Sequence, residues 1–101
     1  MATKITLIVD NPADPAAFEQ AYPGLLDVAR TLPALRRLES AKVWPKEDGT
    51  PTPAHRTLDL YFASYDDASA AVATAEAGAF FTQLAGTGTS FTGLFSDIEQ
   101  Q

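Results

Sequence analysis

Ala54-His-Arg-Thr-Leu-Asp-Leu-Tyr-Phe-Ala63 is the stretch on which the fold turns. It alternates with a period of two, as a half-buried strand does. Arg56, Leu58, Leu60 and Phe62 point one way, and His55, Thr57, Asp59 and Tyr61 point the other. The first set suits a packed core. The second, polar and aromatic, suits a surface covered by a ligand, a partner or water.

Upstream, Pro45 to Pro53 has the composition of an exposed loop. Leu35 to Trp44 reads as a long strand whose faces are blurred by Arg36, Arg37, Glu39 and Lys42. Before it, Asp14-Pro15 is an N-cap followed by proline at the first helical position. Phe18, Tyr22, Leu25, Ala29 and Leu32 then recur at helical spacing. Pro23-Gly24 predicts a kink or a break between Tyr22 and Leu25, because proline cannot donate to the carbonyl of Glu19. Lys4 to Val9 is β-branched and apolar, a first strand ended by Asp10-Asn11-Pro12.

Downstream, Ser64 with Asp67 resembles a capping box and opens a helix carrying Tyr65, Ala68, Val72 and Ala75. Gly78 is a weak helix former, so Glu76 to Ala85, with Phe80, Phe81 and Leu84, reads as a separate helical piece. Gly86-Thr-Gly88 is a turn. Thr89 to Ser96 is a last strand with Phe91 and Phe95 on one face. Strand, helix, strand, strand, helix, strand is the split βαβ order of a ferredoxin-like α+β fold. Its helices cover one face of a four-stranded antiparallel sheet and leave the other free.

Composition narrows the function. A chain of 101 residues, 46% hydrophobic and 20% charged, makes one globular domain spanning residues 1–101. A net charge of −6 argues against nucleic acid and anionic membranes as partners. Without cysteine there is no disulfide, thiolate metal site or cysteine nucleophile. The apolar run Ile5 to Val9 is too short for a signal peptide or a membrane span, so a cytoplasmic protein is expected.

Five residues stand out as candidates for a ligand pocket: Tyr22, Trp44, His55, Asp59 and Tyr61. His55 is the sole histidine, suited to acid–base work near neutrality, yet its place beside a Pro-rich loop is equally that of a solvated histidine. Asp59, four residues on, lies roughly 13 Å away along an ideal strand. It is a pocket carboxylate, or a structural one if a cation such as Arg37 or Lys42 meets it. Tyr61 offers a hydroxyl to a ligand or to ordinary packing, and Trp44 is a pocket wall or an interface anchor. Tyr22, beside the expected bend, would stand at a pocket mouth. The four phenylalanines at 80, 81, 91 and 95 read as core. One histidine leaves only carboxylates for a metal, and no phosphate-binding glycine loop is present, so no metal and no cofactor are expected.

Taken together and in order, several stretches resemble the EthD-like family of dimeric α+β barrel proteins. They are Asp14-Pro-Ala-Ala-Phe18, Ala29-Arg-Thr-Leu-Pro-Ala-Leu-Arg-Arg37, Leu60-Tyr-Phe62 with Ser64-Tyr-Asp-Asp-Ala68, and Thr74-Ala-Glu-Ala-Gly78. The resemblance implies a homodimer whose two sheets face each other around pockets for a small apolar or aromatic molecule. Related families include lactone isomerases, polyketide-tailoring enzymes, and cofactor-independent or haem-using monooxygenases. One departure matters. EthD-like sequences often carry a histidine late in the first helix, followed by proline and an apolar residue, where this chain has Leu25-Leu-Asp27. The resemblance therefore leaves two functions open, an enzyme and a non-catalytic binding or carrier module.

Overall fold

The computed structural model describes residues 1–101. Its elements are β1 (Thr3–Asp10), α1 (Pro15–Ala29), β2 (Arg37–Lys42), β3 (Ala54–Phe62), α2 (Tyr65–Val72), α3 (Ala75–Gly86) and β4 (Phe91–Asp97). The strands form one antiparallel sheet in the order β2-β3-β1-β4. This is the ferredoxin-like α+β architecture expected from the pattern of strands and helices. Beta-2 is shorter than its apolar pattern suggested, since it stops at Lys42 and leaves Trp44 outside the ladder.

On β1, Thr3, Ile5, Leu7 and Val9 are buried and the residues between them are not. In register across the sheet, Ile5 faces Leu60 and Leu7 faces Leu58, so the central strands present one continuous apolar surface to the helices. Phe18, Tyr22, Leu25 and Ala29 of α1, and Phe80 and Leu84 of α3, close over it. Alpha-2 buries its alanines, Ala68 and Ala71, packs Val72 partly against the core and turns Tyr65 outward. Tyr65 is 55% exposed and its ring lies over Phe95. Small inward residues let a short helix lie close to the strands.

The caps form as their residue types require. Asp14 accepts from the N–H of Ala17 at 3.1 Å, and Ser64 from that of Asp67 at 3.1 Å. The late helix divides as expected, its second piece starting at Ala75, one residue before Glu76. The Thr74 hydroxyl accepts from the N–H of Ala77 and restarts the helix.

Alpha-1 corrects the expectation of a break at Pro23: it is helical from Pro15 through Ala29. Pro23 and Gly24 lie on its exposed side, where the carbonyl left without a donor can meet water. Tyr22 and Leu25, both buried, anchor the helix to the core on either side.

Candidate functional site

The alternation of β3 is broken at its start. Val9 pairs with Arg56, but Asp10 pairs with Ala54, so His55 is the extra residue of a β-bulge. A bulge changes the phase of a strand by one residue. His55 therefore does not join Thr57, Asp59 and Tyr61 on the open face, as strict alternation predicted. It lies beneath α1 beside Arg56, its ring edge-on to Phe18 at 5.5 Å.

Glu19, one turn into α1, receives both. Arg56 donates from Nε to Glu19 Oε2 at 2.9 Å and from Nη2 to Oε1, a bidentate pair. His55 Nε2 lies 3.3 Å from the same Oε2. The guanidinium of Arg56 also covers the ring of Tyr22 at 4.5 Å. The Tyr22 hydroxyl bonds Ser40 Oγ of β2 at 2.7 Å. A polar corner of Glu19, Tyr22, Ser40, His55 and Arg56 thus interrupts an apolar layer.

Its electrostatics follow from these contacts. The hydrogen bonds from Arg56 hold the Glu19 carboxyl down to about 2, against burial acting the other way and with help from His55. Burial raises the Tyr22 phenol, opposed by its bond to Ser40. Glu19 is thus a fixed anion.

Asp59 and Tyr61 sit on the opposite face. Asp59 accepts from the Thr6 hydroxyl at 2.5 Å and lies 3.8 Å from Lys4 Nζ, so the cation it meets is neither Arg37 nor Lys42. Tyr61 donates to Glu39 Oε1 at 2.7 Å, with Arg37 over its ring at 4.2 Å. That bond to Glu39 raises the Tyr61 phenol. Trp44 stands apart, 86% exposed beyond the end of β2. The five candidates therefore fall into three places: Tyr22 with His55, Asp59 with Tyr61, and Trp44 alone. No three His, Asp or Glu side chains converge as a metal site would need.

Glu19, Ser40 and Arg56 were not among the candidates. Arg56 had a legible signal: it falls in phase with Leu58, Leu60 and Phe62, and a charge on a core face needs a counter-charge. Nothing in the sequence distinguishes Ser40.

Four antiparallel strands under a helical layer define the class, a ferredoxin-like α+β protein. Comparison with known proteins narrows it. No family model matches the chain. An uncharacterized 11.0 kDa protein in the thcB-thcC intergenic region of Rhodococcus erythropolis is 33% identical over 100 residues, covering 95% of this chain and 94% of that protein. An ethyl tert-butyl ether D (EthD) family protein of Bacillus halodurans superposes with a TM-score of 0.87 at 19% identity, over 97% and 99% of the two chains. A dimeric ferredoxin-like protein of unknown function from Bacteroides fragilis gives 0.70 at 15% identity, over 96% and 95%. SnoaB, a cofactor-independent oxygenase from Streptomyces nogalater, gives 0.67 at 13%, over 99% and 94%. The chain is a relative of the Rhodococcus protein and has the fold of the EthD family protein.

Proposed function

We propose that this EthD-like chain is a homodimer that binds a small apolar or aromatic molecule, and transforms it, without a bound metal or cofactor. The observation that carries the reading is the polar corner under α1. Burying such groups in an apolar layer costs stability, and clusters of this kind concentrate where ligands are handled. On this reading Tyr22 and His55 supply the hydroxyl and imidazole that meet the ligand, and Trp44 supplies an aromatic wall at its edge.

Asp59 and Tyr61, whose polar atoms are already bonded within the chain, are assigned to a face that meets a second copy. Its charge favours that role. The chain carries −6 overall, yet here Lys4 and Arg37 offset Glu39 and Asp59, so two such faces do not repel. The dimer has a counterpart in the Bacteroides protein, and cofactor independence one in SnoaB.

A non-catalytic carrier is the second reading. It is favoured by Leu25-Leu-Asp27, where Leu25 is buried and Asp27 is an exposed partner of Arg30 at 3.5 Å. No acid–base group occupies that part of α1 on the core side.

The single tryptophan makes the test direct. Titrating a panel of small aromatic molecules against Trp44 fluorescence should give saturable quenching, weakened roughly tenfold by Tyr22→Phe and by His55→Asn. Absence of saturable binding, or indifference to both substitutions, would overturn the assigned site. Turnover of a bound compound separates enzyme from carrier. Light scattering should give twice 10.8 kDa, and a stable 10.8 kDa species would overturn the dimer.

A further inference from the structure

The helix-side rim of β2 carries a cation that the fold does not use. The register of β2 on β3 sets Lys42 directly opposite Arg56, on the face that also carries Leu58 and Leu60. Like charges opposite one another on neighbouring strands are unfavourable unless something lies between or beside them. Glu19 neutralises Arg56. No such partner serves Lys42, which takes part in none of the chain's five ion pairs. In a chain with 13 acidic and 7 basic residues, a lysine without a carboxylate is not explained by a shortage of acids.

The surroundings of Lys42 are those of a binding site. Lys42 and Trp44 line the same depression of about 450 Å³, together with Val43 and Pro45. Ser40 lies on the same strand face, two residues back and roughly 7 Å along the strand. Ser40 is an exposed residue, and its hydroxyl is bonded to that of Tyr22. That pair holds two O–H groups and spends one on the mutual bond, so one hydrogen remains to donate. An ammonium thus shares a depression with a large exposed aromatic surface, and a hydroxyl donor stands further back along the strand.

From this we infer that the molecule taken by this protein is an anion: an aromatic or otherwise apolar body bearing one anionic oxygen group, a carboxylate in the simplest case. Lys42 and the Tyr22–Ser40 pair receive the oxygens, and Trp44 packs on the body. The inference rests on the proposed ligand site and adds the charge of the ligand to it.

The test pairs 2-naphthoate with its neutral isostere 2-naphthamide, each titrated into the full chain and followed by amide NMR shifts. At low salt the naphthoate should bind roughly tenfold more tightly. Lys42→Gln should abolish that preference, and Lys46→Gln, in the neighbouring loop, should leave it intact. Raised ionic strength should narrow it. Equal binding of acid and amide around Ser40, Tyr22 and Trp44 would overturn the anion inference and leave the ligand site standing. A preference that survives Lys42→Gln would overturn it too. If neither probe shifts those residues, the site itself falls.

Discussion

On its helix-covered face the sheet offers Ile5, Leu7, Val9, Leu58, Leu60 and Phe62, each 2% exposed or less. On the open face the same two strands offer Thr6, Asp59 and Tyr61, whose polar atoms are bonded sideways to neighbouring strands. One sequence serves two solvents because its period is two. On the open face Thr6, Asp59 and Tyr61 are satisfied within the chain. Under α1 the phase slips at His55, which brings it together with Glu19, Tyr22 and Arg56.

Truncation on the covered face should have the largest effect. Phe62→Ala, at 1% exposure, should cost about 3–5 kcal/mol in urea unfolding. A loss below 1 kcal/mol would mean that the two faces differ far less than their burial suggests.

Glu19→Gln comes next, and its effect depends on pH. The carboxyl is lowered from 4.5 to about 2 in the fold, so its stabilisation is fully present above pH 4.5 and is lost as the pH falls through 2. With solvent screening allowed for, the substitution should cost roughly 1–2 kcal/mol at pH 7. The gap between variant and parent should close between pH 4.5 and 2. A gap that ignores pH would show that the Arg56–Glu19 pair adds shape without charge.

Tyr61→Phe should move least. It removes one exposed bond to Glu39, so unfolding should shift by at most about 0.5 kcal/mol. A loss above 1 kcal/mol would show that the open-face network stabilises the fold more than its exposure suggests.

How much of this the sequence disclosed depends on which residues are asked. Period two on β3 and the helical stripe from Phe18 to Ala29 gave the layers and the covered face, because burial acts on every member of a repeating pattern. Asp14 and Ser64 marked helix starts, because caps are local chemistry. Pro23 misled for the opposite reason. Its local preference was overridden by the burial of Tyr22 and Leu25, which no nearest-neighbour rule weighs. His55 was displaced by a single unpaired residue, and a bulge leaves no mark on composition. Tyr22 was chosen for a bend or break at Pro23, where α1 is unbroken, yet it lies in the polar corner because its hydroxyl reaches Ser40 on a strand 18 residues away.

The central place of β1 has a consequence for how the chain reaches this state. Thr6 bonds Asp59 across 53 positions of sequence, and Thr3 bonds Asp97 across 94. During synthesis the strand that emerges first waits for both of its neighbours, with its apolar side uncovered and both edges unpaired. Closure is therefore non-local and should be slow for so small a domain. A nascent chain halted before Phe91 would carry β1 with one edge open, ready to pair with another chain, and pulse-chase sedimentation of such stalled chains would reveal the aggregates.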